Sequence, residues 1–418
     1  MTRTDELRGV PGGRRRTVLV SGASIAGPAL AFWLNRYGFA VTVVEKAGAL
    51  RDGGYPIDVR GTALDVVRRM GILPRLRDAH IDLRRLTFLD EDGAKVASIA
   101  PHAVTGGVAG ADLEVRRGAL ADALYSAVRD DVEVLFDDSI STLDQHRHGV
   151  DVTFRRGGSR TFDLVIGADG LHSHTRGLVF GPEERFHRYL GYCFAGFTLP
   201  NTFGLVRETT MWNAPGRAAV LYAVGDGDDA VHGFLAFARP QPPLDAFRDP
   251  EAQRSLVEGV FADAKWEVPG MLTAMRTADD LFFDVVSQIR MPRWADGRVA
   301  LVGDAAYAPS FLTGQGSSLA LVGAYMLAGS LAAERDHTAA FAAYERDSRT
   351  FVTLNQDLVG TGDALLFPTT SRALEERNAL LRGLAATPPA AEGRPAHAAL
   401  VLPEFTPTAA LSSGRTDV

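Results

Sequence analysis

The chain has 418 residues, which at about 100–200 residues per domain predicts two to three domains, and its 46% hydrophobic and 23% charged residues suit a globular protein with a sizeable core. Its 44 Lys and Arg against 51 Asp and Glu leave a net charge of −7, so there is no basic surplus for nucleic-acid phosphates or an anionic membrane surface. Cys193 is the single cysteine, which excludes an intramolecular disulfide and any multi-cysteine metal site and points to a reducing cytoplasm.

Arg14-Arg15-Arg16 ahead of an apolar stretch at 17–34 looks at first like a twin-arginine export signal or an anchor. Ser21-Gly22 and Gly27-Pro28 punctuate that stretch into a strand, a turn and a helix start instead. Short apolar runs at 17–21, 40–45, 163–167 and 298–303 read as buried strands. Between the first two, 25–37 has helical length and an apolar face, which makes a βαβ unit of a parallel sheet. Helices are expected at 59–71 and 120–128, and half-exposed strands at 132–136 and 150–154 with a turn at 146–149. The stretch 176–290 differs, with Trp212, Trp266 and prolines at 200, 215, 240, 242 and 243. Its alternating runs 218–224 and 231–238 flank Gly225-Asp226-Gly227-Asp228 like an antiparallel hairpin. Helical periodicity returns at 316–333 and 337–358, and the last 30 or so residues, rich in Ala, Pro, Thr and Gly, read as a loosely docked tail.

The fold class is therefore α/β: a Rossmann-like domain on a parallel sheet, plus a substrate domain built on an antiparallel sheet and a C-terminal helix. The expected division is discontinuous. Residues 14–75, 100–175 and 281–335 form the nucleotide domain, 76–99 and 176–280 the substrate domain, 336–385 a helical segment and 386–418 a tail.

Gly22-Ala23-Ser24-Ile25-Ala26-Gly27 follows the first strand and opens a helix, where a dinucleotide fingerprint sits. Gly22 permits the tight turn, Gly27 lets helix and strand pack closely, and the backbone N–H groups of Ser24, Ile25, Ala26 and Gly27 can receive a pyrophosphate. Ser24 replaces the second glycine of the pattern. Glu45, 18 residues past Gly27, ends the next strand, placed for a ribose hydroxyl pair, and Lys46 follows it. A carboxylate there disfavours a 2′-phosphate, so FAD or NAD is the expected resident rather than NADP.

Two later segments choose between them. Residues 163–170, ending in Ala168-Asp169-Gly170 with Ser173 and Arg176 behind, resemble the Asp-Gly motif of the class A FAD-dependent aromatic hydroxylases. Gly303-Asp304-Ala305-Ala306 with Gly314-Gln315-Gly316 resembles their Gly-Asp motif. The three motifs, in family order, cover about 22–330, and the chain resembles the shorter members, among them tetracycline-inactivating and antibiotic-tailoring monooxygenases. The resemblance implies resident FAD and a cycle in which NADPH or NADH, as transient reductant, reduces the flavin. Oxygen then forms a flavin C4a-hydroperoxide, and one oxygen atom passes to an aromatic, polycyclic or polyketide-like small molecule.

The same resemblance assigns residues. Asp304 would take a ribityl hydroxyl, while Gly314, Gly316 and Ser317 would let the following helix N-terminus approach the flavin pyrimidine edge. Asp169 would link the pyrophosphate to the nicotinamide position, braced by Arg176, or else only tie its own loop. Arg117 sits in Glu114-Val115-Arg116-Arg117-Gly118-Ala119-Leu120 as the cofactor-contacting arginine, with Arg116 as its off-register rival. Arg51 and Asp58, around Gly53-Gly54, match a stretch that runs past the ribose and flavin, with a surface salt bridge as the alternative. Tyr307, Phe311 and Ser318 depart from the common pattern of His, Pro and Asn. No acid–base residue is assigned, although His187, Tyr192 and Arg60 lie in segments able to face the pocket. No metal site is expected, His172 and His174 being loop residues. Baeyer–Villiger or other flavin oxidoreductase chemistry, and a non-catalytic FAD- and ligand-sequestering protein, are the alternatives; a halogenase is disfavoured. The acidic chain is compatible with a monomer or a dimer.

Overall fold

The computed structural model describes residues 14–50, 54–108, 110–225, 230–387 and 392–406. A strand covered on both faces needs no alternation, and Thr17–Ser21, Ala40–Glu45 and Leu164–Gly167 are apolar nearly throughout for that reason. They form the middle of a six-stranded sheet ordered 295–296, 299–301, 164–167, 17–21, 40–45, 133–136, parallel except for the short 295–296 edge. Val18, Val20, Val43, Leu164 and Ile166 face helices Ala26–Arg36 and Gly316–Ala333. Leu19, Val44, Val165 and Val299 point the other way, onto the antiparallel layer 140–146, 149–154 and 159–162. Gly316–Ala333 is long and apolar enough to span a membrane, yet 89% of it is buried inside the protein, the composition of a core helix.

A seven-stranded sheet stands apart from the first, ordered 282–289, 187–200, 230–238, 217–222, 208–214, 85–89, 95–99, and antiparallel except between 208–214 and 85–89. Successive side chains point to its two faces, apart from bulges at Tyr189/Tyr192 and Phe88/Leu89. Cys193, Phe197, Trp212, Leu221, Leu235 and Phe237 are buried under helices Pro250–Phe261 and Val268–Thr277, which leaves the intervening side chains for the face toward the nucleotide half. Helix Ser371–Ala386 covers the far edge, Leu381 packing on Phe88, Ala97 and Ile99.

Three expectations change. Strand Phe282–Ile289 pairs along 187–196, so the antiparallel sheet continues past the boundary at 280. The stretch 59–71 divides into the end of strand Pro56–Val59 and helix Thr62–Arg69, because Gly61 takes φ +54° between them. The described part of the tail, 392–406, is firmly docked. Thr62 Oγ1 donates to the Leu400 carbonyl (2.7 Å), Asn355 Nδ2 to Ala396 O (2.8 Å), and Tyr325 and Arg69 to Pro403 O (2.5 and 3.3 Å). Leu402 and His397 are buried, and Phe405 lies against Gly329, where a Cβ would overlap its ring. Small-residue composition read as looseness; carbonyls offered to waiting donors overrode it.

Candidate functional site

The first half of the site is built by backbone. Gly22 adopts φ +106°, and a Cβ there would lie 2.5 Å from the Ala168 carbonyl oxygen; a Cβ on Gly27 would overlap the Gly22 carbonyl. The turn thus brings Ala26–Arg36 in over the sheet with no side chain capping its N-terminus, so its first N–H groups are offered to a ligand. Ile25 is half-buried and Ala26 buried at that terminus. Glu45 supports the turn: one carboxylate oxygen accepts from Ala23 N (2.8 Å), the other from Ala47 N (2.9 Å). Lys46 beside it is exposed. Arg117 donates to Ser24 Oγ (2.7 Å), joining two residues 93 apart in sequence, while Arg116 is exposed. Arg51 lies outside the described residues.

The second half is where Asp58, Asp304, Gly314 and Gly316 converge. A Cβ on Gly314 would sit 2.8 Å from Asp58 Oδ2, and one on Gly316 would sit 3.8 Å from Asp304 Oδ1. Burial pushes the Asp304 carboxyl above the usual range, opposed by the Arg117 guanidinium; burial does the same to Asp58, opposed by Arg60 at 2.6 Å. Helix Gly316–Ala333 also starts without a side-chain cap, Ser317 is buried in its first turn, and Gln315 Oε1 is buried with no hydrogen-bond partner. An unpartnered buried acceptor, an uncapped helix end and glycines next to two half-buried carboxylates fit a flat, polar-edged group such as a flavin. Two glutamines that sequence reasoning missed hold the loop in place. Gln288 Nε2 donates to Pro309 O (3.0 Å), and Gln356 Nε2 to Tyr307 O (3.1 Å) and Ala308 O (3.3 Å).

Several departures from the motif pattern face elsewhere. Tyr307 points into the core, its hydroxyl 2.9 Å from that of Tyr344, and Ser318 Oγ accepts from Arg60 N (3.1 Å). Asp169 spends its carboxylate on its own loop, accepting from Ser173 Oγ (2.5 Å), Thr175 N (2.9 Å) and Thr175 Oγ1 (2.8 Å). The side chain of Arg176 is fully buried and donates to Leu171 O (2.7 Å), Ala305 O (3.0 Å) and Glu183 (2.5 Å), clamping the loops of the two motifs together. His172 bridges Glu183 (2.8 Å) and Asp284 (3.4 Å), and hydrogen bonds donated to Asp284 and Glu183 push its pKa up to about 10. His174 is exposed, and burial lowers the pKa of half-buried His187. Among the described residues no His/Cys/Asp/Glu group could hold a metal.

The inner face of the antiparallel sheet supplies the opposite wall. Cross-strand register places Phe194 opposite Ala236 and Asp284, Phe234 opposite Gly196 and Val220, and Tyr222 opposite His232. Phe194 packs edge-on against Phe311 (4.9 Å between ring centres), Phe311 approaches Phe367 (6.2 Å), and Phe367 approaches Tyr192 (5.3 Å). Tyr55, just before the Asp58 strand, meets Phe234 at 6.4 Å. Phe311, at 45% exposure, forms the lip between the glycine loop and this wall. The Tyr222 hydroxyl crosses the junction to Glu114 Oε1 (2.5 Å). The alternation of 218–224 and 231–238 was the signal for Tyr222 and Phe234, but alternation alone does not say which face is covered by helices.

A family model described as an FAD binding domain matches residues 15–190. A flavin-dependent monooxygenase from an unknown prokaryotic organism is 39% identical over 88% of this chain and 96% of its own length. An uncharacterised Mycobacterium tuberculosis protein is 47% identical over 82% of this chain and 92% of its own. The crystal structure of the tetracycline destructase Tet(55) superposes with a TM-score of 0.81 at 36% identity, covering 94% of this chain and 99% of that one.

Proposed function

The chain belongs to the flavin-dependent monooxygenases, and from that premise we propose that it uses NADPH or NADH and O2 to hydroxylate a phenolic or polyketide-like ring system. The observation that carries the proposal is the placement of the uncapped Gly316 helix, Asp304 and Gln315 Oε1 across from the aromatic wall of Phe194, Phe234 and Phe311. In this reading the N–H groups following Gly22, with Ser24 and Arg117, hold the pyrophosphate, and Glu45 holds the adenosine ribose. Asp304 and Asp58 take polyol or ring-edge donors, and Gly314, Gly316 and Ser317 let the backbone approach the ring. Bound FAD supplies the redox chemistry, accepting a hydride and activating oxygen. The chain's own residues position and dry the site: Phe194, Phe234 and Phe311 fix a flat ligand by stacking and exclude water, while the Gly316 helix dipole favours negative charge at the neighbouring edge. Similarity to a tetracycline destructase favours a polycyclic phenol such as a tetracycline, in antibiotic inactivation or tailoring, over Baeyer–Villiger chemistry.

The test is the absorbance of the FAD-loaded protein, followed anaerobically while NADPH is added with and without tetracycline and other aromatic polyketides. Bleaching accelerated by one compound supports the reading and identifies its ligand class. A protein that takes up no FAD overturns the residue assignments, and bleaching indifferent to every compound overturns the hydroxylase cycle.

A further inference from the structure

Strand Pro56–Val59 pairs antiparallel with Leu113–Arg116, setting Asp58 directly opposite Glu114. Arg60 reaches back to Asp58 at 2.6 Å, and Tyr222, from the other sheet, donates to Glu114 Oε1 at 2.5 Å. The cluster spans the junction of the two halves, and the Asp58 end of it abuts Gly314. Tyr222 shares its sheet face with Phe234, and Phe234 belongs to the wall where the ligand is placed above. A half-buried carboxyl tied to a phenol, one residue pair from the ligand wall, is more than packing requires, since apolar side chains would fill the junction without desolvating a charge.

We infer that Tyr222 and Glu114 act as a proton-accepting pair for the ligand, Tyr222 binding a phenolic or enolic hydroxyl and Glu114 taking up the proton behind it. The inference rests on the hydroxylase reading and names the group that activates its substrate. The step is balanced. The ligand O–H bond breaks and its proton passes to the Tyr222 oxygen as the tyrosine's own proton moves to Glu114 Oε1. This leaves an electron-rich phenolate or enolate and a neutral carboxyl, which later releases the proton to solvent. The surroundings suit the task. Burial, and Asp58 across the strand pair, push Glu114 up to about 7, while the Tyr222 hydrogen bond and Arg60 pull it down. Asp112 adds negative charge beside Asp58. His80 contacts the Glu114 backbone, at 3.1 and 3.2 Å. A carboxyl balanced near neutrality can both accept and release a proton at working pH.

Two measurements on the FAD-loaded protein test this. Infrared difference spectra across pH 5–9 should show a carboxyl titrating near pH 7 in the wild type and missing in Glu114→Gln, the flavin spectrum being unchanged. With tetracycline as the probe, the absorbance of the bound ligand should be that of its ionised form in the wild type above pH 7 and of its neutral form in Glu114→Gln. Tetracycline-stimulated NADPH oxidation should fall about a hundredfold in kcat with little change in KM. Glu114→Asp should restore part of it. If Glu114→Gln fails to fold or to hold FAD, Tyr222→Phe gives the same reading, because it removes the relay atom and leaves the carboxylate. A wild type in which no carboxyl titrates near 7, or variants that ionise bound tetracycline as the wild type does, overturn the inference. Failure of tetracycline to bind overturns the ligand class on which the pair's role depends. A wild type that takes up no FAD sinks the cofactor reading instead, and the infrared titration of Glu114 remains decisive without it.

Discussion

The parallel and antiparallel halves of the molecule make their sites by opposite means. In the parallel half the site is framed by backbone: helix N-termini without side-chain caps, and glycines such as Gly22, Gly27 and Gly314 where a Cβ would strike a carbonyl or a carboxylate, with a few polar side chains beside them. In the antiparallel half it is framed by side chains that alternate off a sheet whose other face is sealed by two helices. A backbone site tolerates little substitution and binds a constant group, while a side-chain wall can be rebuilt residue by residue without disturbing the strands beneath it. One half therefore suits an invariant cofactor and the other a variable ligand.

The comparison breaks most completely at Gly27. Gly27→Val should abolish FAD retention, read as flavin-to-protein absorbance ratio, because the side chain would have to occupy the Gly22 carbonyl. Arg176→Met attacks the clamp between the two motif loops. It strands the Leu171 and Ala305 carbonyls and Glu183, so unfolding in denaturant should show a loss of about 3–5 kcal/mol. Phe234→Ala sharpens the contrast from the other side. FAD content should stay at the wild-type level while ligand affinity drops about tenfold, the worth of one aromatic contact near 1.4 kcal/mol; equal losses of both would erase the distinction between the halves. The smallest effect is a pH dependence at the docked tail. Burial lowers buried His397 to about 4, with Arg60 and Arg394 adding repulsion. Its folded pKa lies below the unfolded value of about 6.5, so the native state binds fewer protons and stability is lost as pH falls from about 6.5 toward 4. His397→Leu should recover about 2 °C of Tm at pH 5 and nothing at pH 8.

What could be read in the sequence follows the same division. Gly22, Gly27, Glu45, Asp304, Gly314 and Gly316 sit close to one another in short motifs whose geometry is local, and the parallel sheet and both long helices were legible with them. Phe194, Tyr222 and Phe234 come from distant strands, and Phe367 from a loop late in the chain. What brings them together is register, set by cross-strand pairing that leaves no mark within any one segment. The Gln288 and Gln356 supports and the Arg117–Ser24 bond were hidden for that reason too. Asp169 shows the converse limit: its place in a motif was visible, but the carboxylate closes its own loop through Ser173 and Thr175. Composition also misled at 392–406, where backbone carbonyls accepting from waiting donors make much of the attachment.

That attachment bears on how the protein comes into being. The sheet begun at 17–21 gains its 164–167 neighbour early, but the strand at 299–301 that covers the outer edge of 164–167, and the segment at 392–406 that closes over helix Thr62–Arg69, are made much later. A chain emerging from the ribosome thus carries an open apolar strand edge from residue 167 until 299 is made, the interval in which most of the antiparallel sheet is laid down as nearly contiguous hairpins. The half that starts the polypeptide is the last to be finished.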